Sequence, residues 1–168
     1  MERARPAAST ITQVDNHWRL SCSQWVPRPV GAVFPFFASV HNLERLTPDF
    51  LHFRLRRAPT ESLRAGSIID YQLRLHGVPM WWRTRIEEWT PSQRFVDLQV
   101  RGPFRRWSHL HEFVPDGAGT TIKDTVDFDL YCRPLFRTAA LGWIETDLQS
   151  IFAHRHQQIA TVFGHDTP

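Results

Sequence analysis

An α+β fold, a curved antiparallel sheet closed by one long C-terminal helix, is predicted by three observations. Segment after segment from His17 onward alternates apolar and polar residues with period two, the mark of a strand with one buried face. The last segment abandons that period for a helical stripe. Seven Trp and twelve Phe in 168 residues give more ring surface than a small core needs, which suits a hollow, aromatic-lined interior.

Taken in order, residues 1–16 read as a frayed tail without the continuous apolar stretch of a secretory signal. His17 to Val26 has strand character, with Trp18, Leu20 and Cys22 alternating, and it stops at Pro27 and Pro29. Pro29 suits the first turn of a helix, so Val30 to Ser39 reads as a short apolar helix limited by Pro35, followed by a second short helix from Val40 to Leu46. Five or six strands come next. Phe50 to Arg56 sets Phe53 and Leu55 against His52, Arg54 and Arg56, and Ile69 to Leu75 sets Tyr71, Leu73 and Leu75 against Asp70, Gln72 and Arg74. After a turn at His76–Pro79, Met80 to Glu88 places Trp82, Thr84 and Ile86 opposite Trp81, Arg83, Arg85 and Glu87. The alternation of Phe95 to Val100 does not fix its facing. Trp107 to Val114, a turn at Pro115–Gly119, and Thr121 to Tyr131 complete the set, the last with Ile122, Val126, Phe128 and Leu130 on an apolar face broken by Asp124. From Phe136 to Phe163, Leu141, Ile144, Leu148, Ile151, Phe152, Arg155, Ile159 and Val162 form one helical stripe, with Glu145, Asp147, Gln149, His156 and Gln157 largely elsewhere.

The length fits one domain. A net charge of +3 is modest, and the basic clusters Arg54/Arg56/Arg57 and Arg105/Arg106 are short and read as a solvated edge, so nucleic acid is not expected as a partner. No run of about 18 apolar residues predicts a membrane helix. Cys22 and Cys132 are too few for a disulfide framework and point to a reducing cytoplasm, although a bridge between first and last strands is left open.

Chemistry concentrates in Gly102–Phe113. A Gly-Pro turn opens a strand in which Trp107, His109, His111 and Phe113 share one face. The Pro115–Gly119 turn sets Phe113 near Ile122, and therefore His111 opposite Asp124, His109 opposite Val126 and Trp107 opposite Phe128. A slip of one residue would turn both histidines outward. In the inward register His111 and Asp124 form a cross-strand pair suited to acid/base work, with His109 beside them and Tyr71, Trp82, Thr84 and Arg155 as neighbours. The same set could instead anchor a ligand oxygen, or be purely structural. A metal would need a third ligand, with Asp124 or Glu145 the candidates, and no second short-spaced pair supports one. No phosphate loop, nucleophile elbow or Cys near a helix start is present.

The order of elements, with Gly102-Pro103-Phe104, Trp107-x-His109-x-His111-x-Phe113 and the Ile151-Phe152…Arg155 helix, resembles the START/Bet v 1-like (SRPBCC, helix-grip) superfamily. The likeness is nearest to its bacterial ligand-binding and polyketide cyclase/dehydrase-like members and runs from about Trp18 to Phe163. It implies a seven-stranded antiparallel sheet wrapped around the C-terminal helix, with a deep cavity for lipids, sterols, polyketides or quinones. One fold hosts many chemistries, so the function does not follow from the fold. The segment Cys132–Thr138 departs from the Pro- and Gly-rich turn expected there and could narrow a cavity mouth.

The expectation is a single domain over 17–164 that carries a hydrophobic small molecule, without cofactor or bound metal, in the cytoplasm and as a possible homodimer. Its wall is expected from Tyr71, Leu73, Trp82, Thr84, Ile86, Trp107, Phe113, Val126 and Phe128 on the sheet and Leu148, Phe152 and Arg155 on the helix. The rival readings are a cyclase/dehydratase using His111 and Asp124, assisted by His109 or Tyr71, and an interaction module presenting Trp81 and Trp89.

Overall fold

A computed structural model describes residues 9–60, 62–131 and 137–164. Eight antiparallel strands form one sheet: β1 (Thr10–Val14), β2 (His17–Val26), β3 (Arg54–Arg57), β4 (Ile68–Leu75), β5 (Val78–Thr90), β6 (Arg94–Arg101), β7 (Phe104–Asp116) and β8 (Gly119–Leu130). Their spatial order is β1-β2-β8-β7-β6-β5-β4-β3. Between β2 and β3, α1 (Val30–Phe37), α2 (Asn42–Leu46) and a 3₁₀ turn (Asp49–Leu51) carry the chain to the far side of the sheet. The long α3 (Arg137–Phe163) follows β8. Among the described residues no helix is long and apolar enough to cross a membrane.

Three differences from the sequence reading have local causes. The expected frayed tail over 1–16 contains β1, because Thr10, Ile11, Thr12 and Val14 favour extended backbone and Asp15, at φ 49°, turns the chain onto β2. The strand expected from Phe50 begins only at Arg54, since His52 takes a left-handed conformation (φ 45°) that ends the 3₁₀ turn. A bulge between Ile86 and Glu88 adds one residue to β5 and flips its facing beyond that point. Trp89 therefore turns inward against Phe34 and Phe95, whereas Trp81 stays 56% exposed. The segment Cys132–Phe136, where a narrowed mouth was expected, lies outside the described residues.

The hairpins set the register of the site. Gly117, at φ 59°, makes the turn between β7 and β8, and Gly119 passes so close to the Val26 carbonyl that any Cβ there would collide with it. The ladder that follows pairs Phe113 with Ile122, His111 with Asp124, His109 with Val126 and Trp107 with Phe128. Both histidines consequently face inward.

Two apolar clusters fill the space between sheet and helices. One joins α1, β6, β7 and the end of α3 through Val33, Phe34, Phe95, Phe113, Ile122 and Ile159. The other joins β2, β5, β8 and the middle of α3 through Trp18, Leu20, Trp82, Phe128, Leu148 and Phe152. Phe113, Val126 and Phe128, expected on the ligand wall, are buried in these clusters and are not among the residues lining the cavity between α3 and β4–β7. His156, expected off the inner stripe, is only 5% exposed.

Candidate functional site

A cavity of about 430 Å³ lies between α3, α2 and the inner faces of β4–β7. That falls in the range of about 300–1,000 Å³ usual for small-molecule pockets. Its wall is mostly apolar and aromatic. Of the residues expected there, Tyr71, Leu73, Trp82, Thr84, Ile86, Trp107, Leu148, Phe152 and Arg155 do line it, as do His109 and His111. Tyr71 stacks on Trp82 at 5.8 Å, and Trp107 meets Trp82 edge to face at 5.2 Å.

One end of the wall is polar. His109 and His111 lie on β7 with ring centroids 3.7 Å apart. Behind them, on β8, Asp124 Oδ1 is hydrogen-bonded to His109 Nε2 at 2.9 Å and lies 2.8 Å from His111 Nδ1, which accepts from Arg155 Nη2 at 3.1 Å. Asp124 lines no part of this cavity and is 2% exposed. From α3, Arg155 grips the same carboxylate, donating from Nε to Oδ2 at 3.1 Å and from Nη2 to Oδ1 at 3.0 Å. Its guanidinium also lies 5.1 Å from the centre of the Phe37 ring.

Beside the imidazoles the carboxylate that faces the cavity is Asp97 of β6, while Asp147 of α3 lines it elsewhere and pairs with His76. Asp97 Oδ2 stands 2.9 Å from His111 Nε2 and 3.7 Å from His109 Nδ1. Asp97 was absent from the sequence reading. A two-residue turn at Gly102-Pro103 would set Asp97 opposite Ser108, facing outward. The observed ladder is one residue off that count and pairs Asp97 with His109, so an inward His109 carries Asp97 inward with it. Glu145, the other carboxylate considered as a metal ligand, instead accepts a hydrogen bond from Gln149 on the exposed side of α3. Asp97, His109 and His111 each offer a ligand atom within 4.8 Å of the others.

Burial and charge act against one another across this cluster. Burial would raise the Asp124 carboxyl, but Arg155 and the two imidazoles hold it well below the usual carboxylate range. Burial likewise opposes ionisation of Asp97, which its His111 hydrogen bond and the neighbouring cations outweigh, leaving it low. Burial and the like-charged His111 push His109 down. His111 moves up despite burial, because it contacts both Asp124 and Asp97. The two rings are thus shifted in opposite directions, His109 by burial and its neighbouring imidazole and His111 by its two carboxylate contacts.

Elsewhere on the wall one donor stands alone: among the described residues Trp82 Nε1 is buried without a hydrogen-bond partner, while the Thr84 hydroxyl lies beside that of Tyr71. Cys22 pairs across the ladder with Asp124 and is a free thiol. Burial and the nearby Asp124 push that thiol up to about 12.

The family described as "Polyketide cyclase / dehydrase and lipid transport" matches residues 17–164. Among solved structures, a protein from Thermus thermophilus superposes with a TM-score of 0.63 at 15% identity, covering 86% of this chain and 98% of its own. A protein from Mycobacterium smegmatis gives 0.65 at 14% identity, with 92% and 96% covered. A major latex-like protein of Panax ginseng gives 0.55 at 16% identity, with 83% and 98% covered. At such identities these likenesses establish the fold. No curated protein matches the chain.

Proposed function

Because the chain belongs to the polyketide cyclase/dehydrase and lipid transport family, we propose that its cavity binds a hydrophobic small molecule carrying one or two oxygen atoms, of polyketide, lipid, isoprenoid or quinone-like class. The observation that carries this reading is a buried, unpartnered donor on the apolar wall, Trp82 Nε1, with the Thr84 and Tyr71 hydroxyls on the same wall. A buried polar atom without a partner costs about 1–3 kcal/mol. An oxygenated occupant satisfies the indole donor while its hydrocarbon part covers the rings. The His109–His111 end supplies a second polar anchor.

Native mass spectrometry of the purified protein, followed by extraction, tests the reading. The expected result is an adduct that yields a hydrophobic, oxygenated compound. The double variant Trp82→Phe/Thr84→Val should fold normally and weaken that binding by about 10-fold or more, each lost hydrogen bond counting about 0.5–1.5 kcal/mol. No adduct, together with no binding of a fluorescent hydrophobic probe, would overturn it.

A second reading, cyclisation or dehydration of the bound molecule, is favoured by imidazole nitrogens that reach the cavity wall beside Asp97. In that case His111→Ala abolishes turnover and leaves affinity intact, whereas a carrier loses affinity alone. Asp124 acts there only by holding the rings.

A further inference from the structure

We propose that Asp97, His109 and His111 form a binding site for one divalent transition-metal ion of the zinc or ferrous class, with its open coordination positions turned into the cavity. The metal half of this inference stands apart from the ligand reading. That an oxygen of the occupant takes an open position rests on it.

Four observations carry the site. First, each imidazole is divided between two jobs. The far nitrogens face the Asp124–Arg155 pair: His109 Nε2 lies 2.9 Å from Asp124 Oδ1, and His111 Nδ1 lies 2.8 Å from the same oxygen and 3.1 Å from Arg155 Nη2. The near nitrogens, His109 Nδ1 and His111 Nε2, converge instead on Asp97 Oδ2, at 3.7 and 2.9 Å. A metal-bound histidine commonly gives its other ring nitrogen to a carboxylate, which fixes tautomer and orientation. Here one carboxylate serves two histidines.

Second, the spacing suits a small ion. Ligand atoms about 2.0–2.1 Å from a tetrahedral centre stand roughly 3.3 Å apart, between the two distances seen at Asp97 Oδ2. Modest side-chain adjustment closes the set. Third, two histidines and one carboxylate leave coordination positions free, as catalytic zinc and non-haem iron sites do. All three residues lie on the cavity wall, so those positions open toward an occupant. Fourth, two carboxylates flank the imidazoles, Asp97 on the cavity wall and Asp124 behind it, against the single guanidinium of Arg155. Arg155 is engaged by Asp124 and by His111 Nδ1, which leaves Asp97 as the carboxylate beside the histidines that faces a cation entering from the cavity.

The support beneath the site is rigid. Asp124 is gripped from α3 through two hydrogen bonds, His111 stacks on Phe95 at 4.2 Å, and His109 packs at 5.8 Å from Phe152. Three neighbouring strands each deliver one part, so ordering the donors costs little when an ion arrives.

The test uses the tag-free full chain, stripped with chelator and titrated with Zn²⁺ by calorimetry, with metal content read by mass spectrometry. One equivalent is expected. Asp97→Ala should weaken zinc binding at least about 100-fold, and Asp124→Asn, which would touch no metal, by about 10–100-fold. Circular dichroism checks the fold of each variant. Cobalt substitution reads the same site without any variant: intense visible bands of low coordination number are expected in the wild-type chain. Absence of one-to-one binding, a cobalt spectrum matching the hydrated ion, or a folded Asp97→Ala variant that binds zinc as tightly as wild type each overturns the site. Titrating 1-anilinonaphthalene-8-sulfonate into the stripped protein separates the two readings. Dye binding without zinc binding overturns the metal site alone, and zinc binding without dye binding overturns the cavity reading alone.

Discussion

Inward residues of β8 and inward residues of β4 and β5 obey the same alternation and meet different neighbours. Val126 and Phe128 on β8 are fully buried against other side chains. Trp82, Thr84 and Ile86 on β5 are nearly as hidden from solvent, yet they line a cavity. The difference is where the helices lie. Alternation decides which way a side chain points, whereas the depth of the packing opposite it depends on how α3 crosses the curved sheet. Low exposure alone therefore does not separate core from wall. The polar cluster sits on the boundary between them, with Asp124 on the packed side and Asp97 on the cavity side.

Removing the one cation that spans this boundary should be among the costliest changes. Arg155→Ala leaves Asp124 buried with only the two imidazoles beside it and no permanent cation, so unfolding free energy should drop by about 3 kcal/mol, read by urea denaturation. Retention of wild-type stability would show that solvent reaches Asp124 freely, and the boundary would dissolve. Comparable in size is a matched pair of isoleucines, 1% exposed at Ile122 and 2% at Ile86. Ile122→Ala, on the packed side, should cost about 2–5 kcal/mol. Ile86→Ala, beside existing space, should cost at least about 1 kcal/mol less, because fewer contacts are lost. Equal losses would mean that the wall is packed as tightly as the core.

Protonation sharpens the comparison further. In the metal-free protein, imidazole NMR should show His111 titrating above the ordinary value of about 6.5 and His109 below it. Since the folded-state pKa of His111 is raised, its stabilisation is complete below about pH 6.5 and disappears as pH rises through the folded value. For Asp124 the sign is opposite. Its stabilisation is complete above about pH 4 and is lost only as pH falls toward its depressed folded value. A single shared histidine midpoint would contradict the division of roles between the rings. The smallest effect concerns Cys22. In a Cys132→Ser background, iodoacetamide at pH 8 should leave the folded protein unmodified, because a thiol pushed up to about 12 carries almost no thiolate. Rapid alkylation would indicate that the packed side opens.

Much of this architecture was legible in the sequence for identifiable reasons. The turn before Gly119 counts off the β7–β8 ladder, so the pairing of His111 with Asp124 followed from position alone. Asp97 was hidden because the apolar residues of its strand mislead. Val96, Leu98 and Val100 suggest an inner face, yet they share the outer one, with Val100 53% exposed, and Phe95 is the inward apolar residue. The inward facing of Trp89 depended on a bulge, which no alternation pattern announces. β1 was missed because five residues are few, and their Thr-rich pattern gains strand structure only by pairing with β2.

The grip of Arg155 on Asp124 has a consequence for how α3 is seated. Leucine, isoleucine and phenylalanine along its inner stripe are nearly interchangeable as hydrocarbon, so they resist lifting of the helix far more than turning about its axis. The two-pronged contact is directional. A rotation of one residue, about 100°, would carry the guanidinium out of reach and strand the carboxylate. The pair therefore works as an index pin, fixing the angular setting of the helix and with it the shape of the pocket beneath. A double variant, Arg155→Met with Asp124→Leu, should keep much of the stability and give broadened NMR signals along α3, as the helix samples several angles where the wild type holds one.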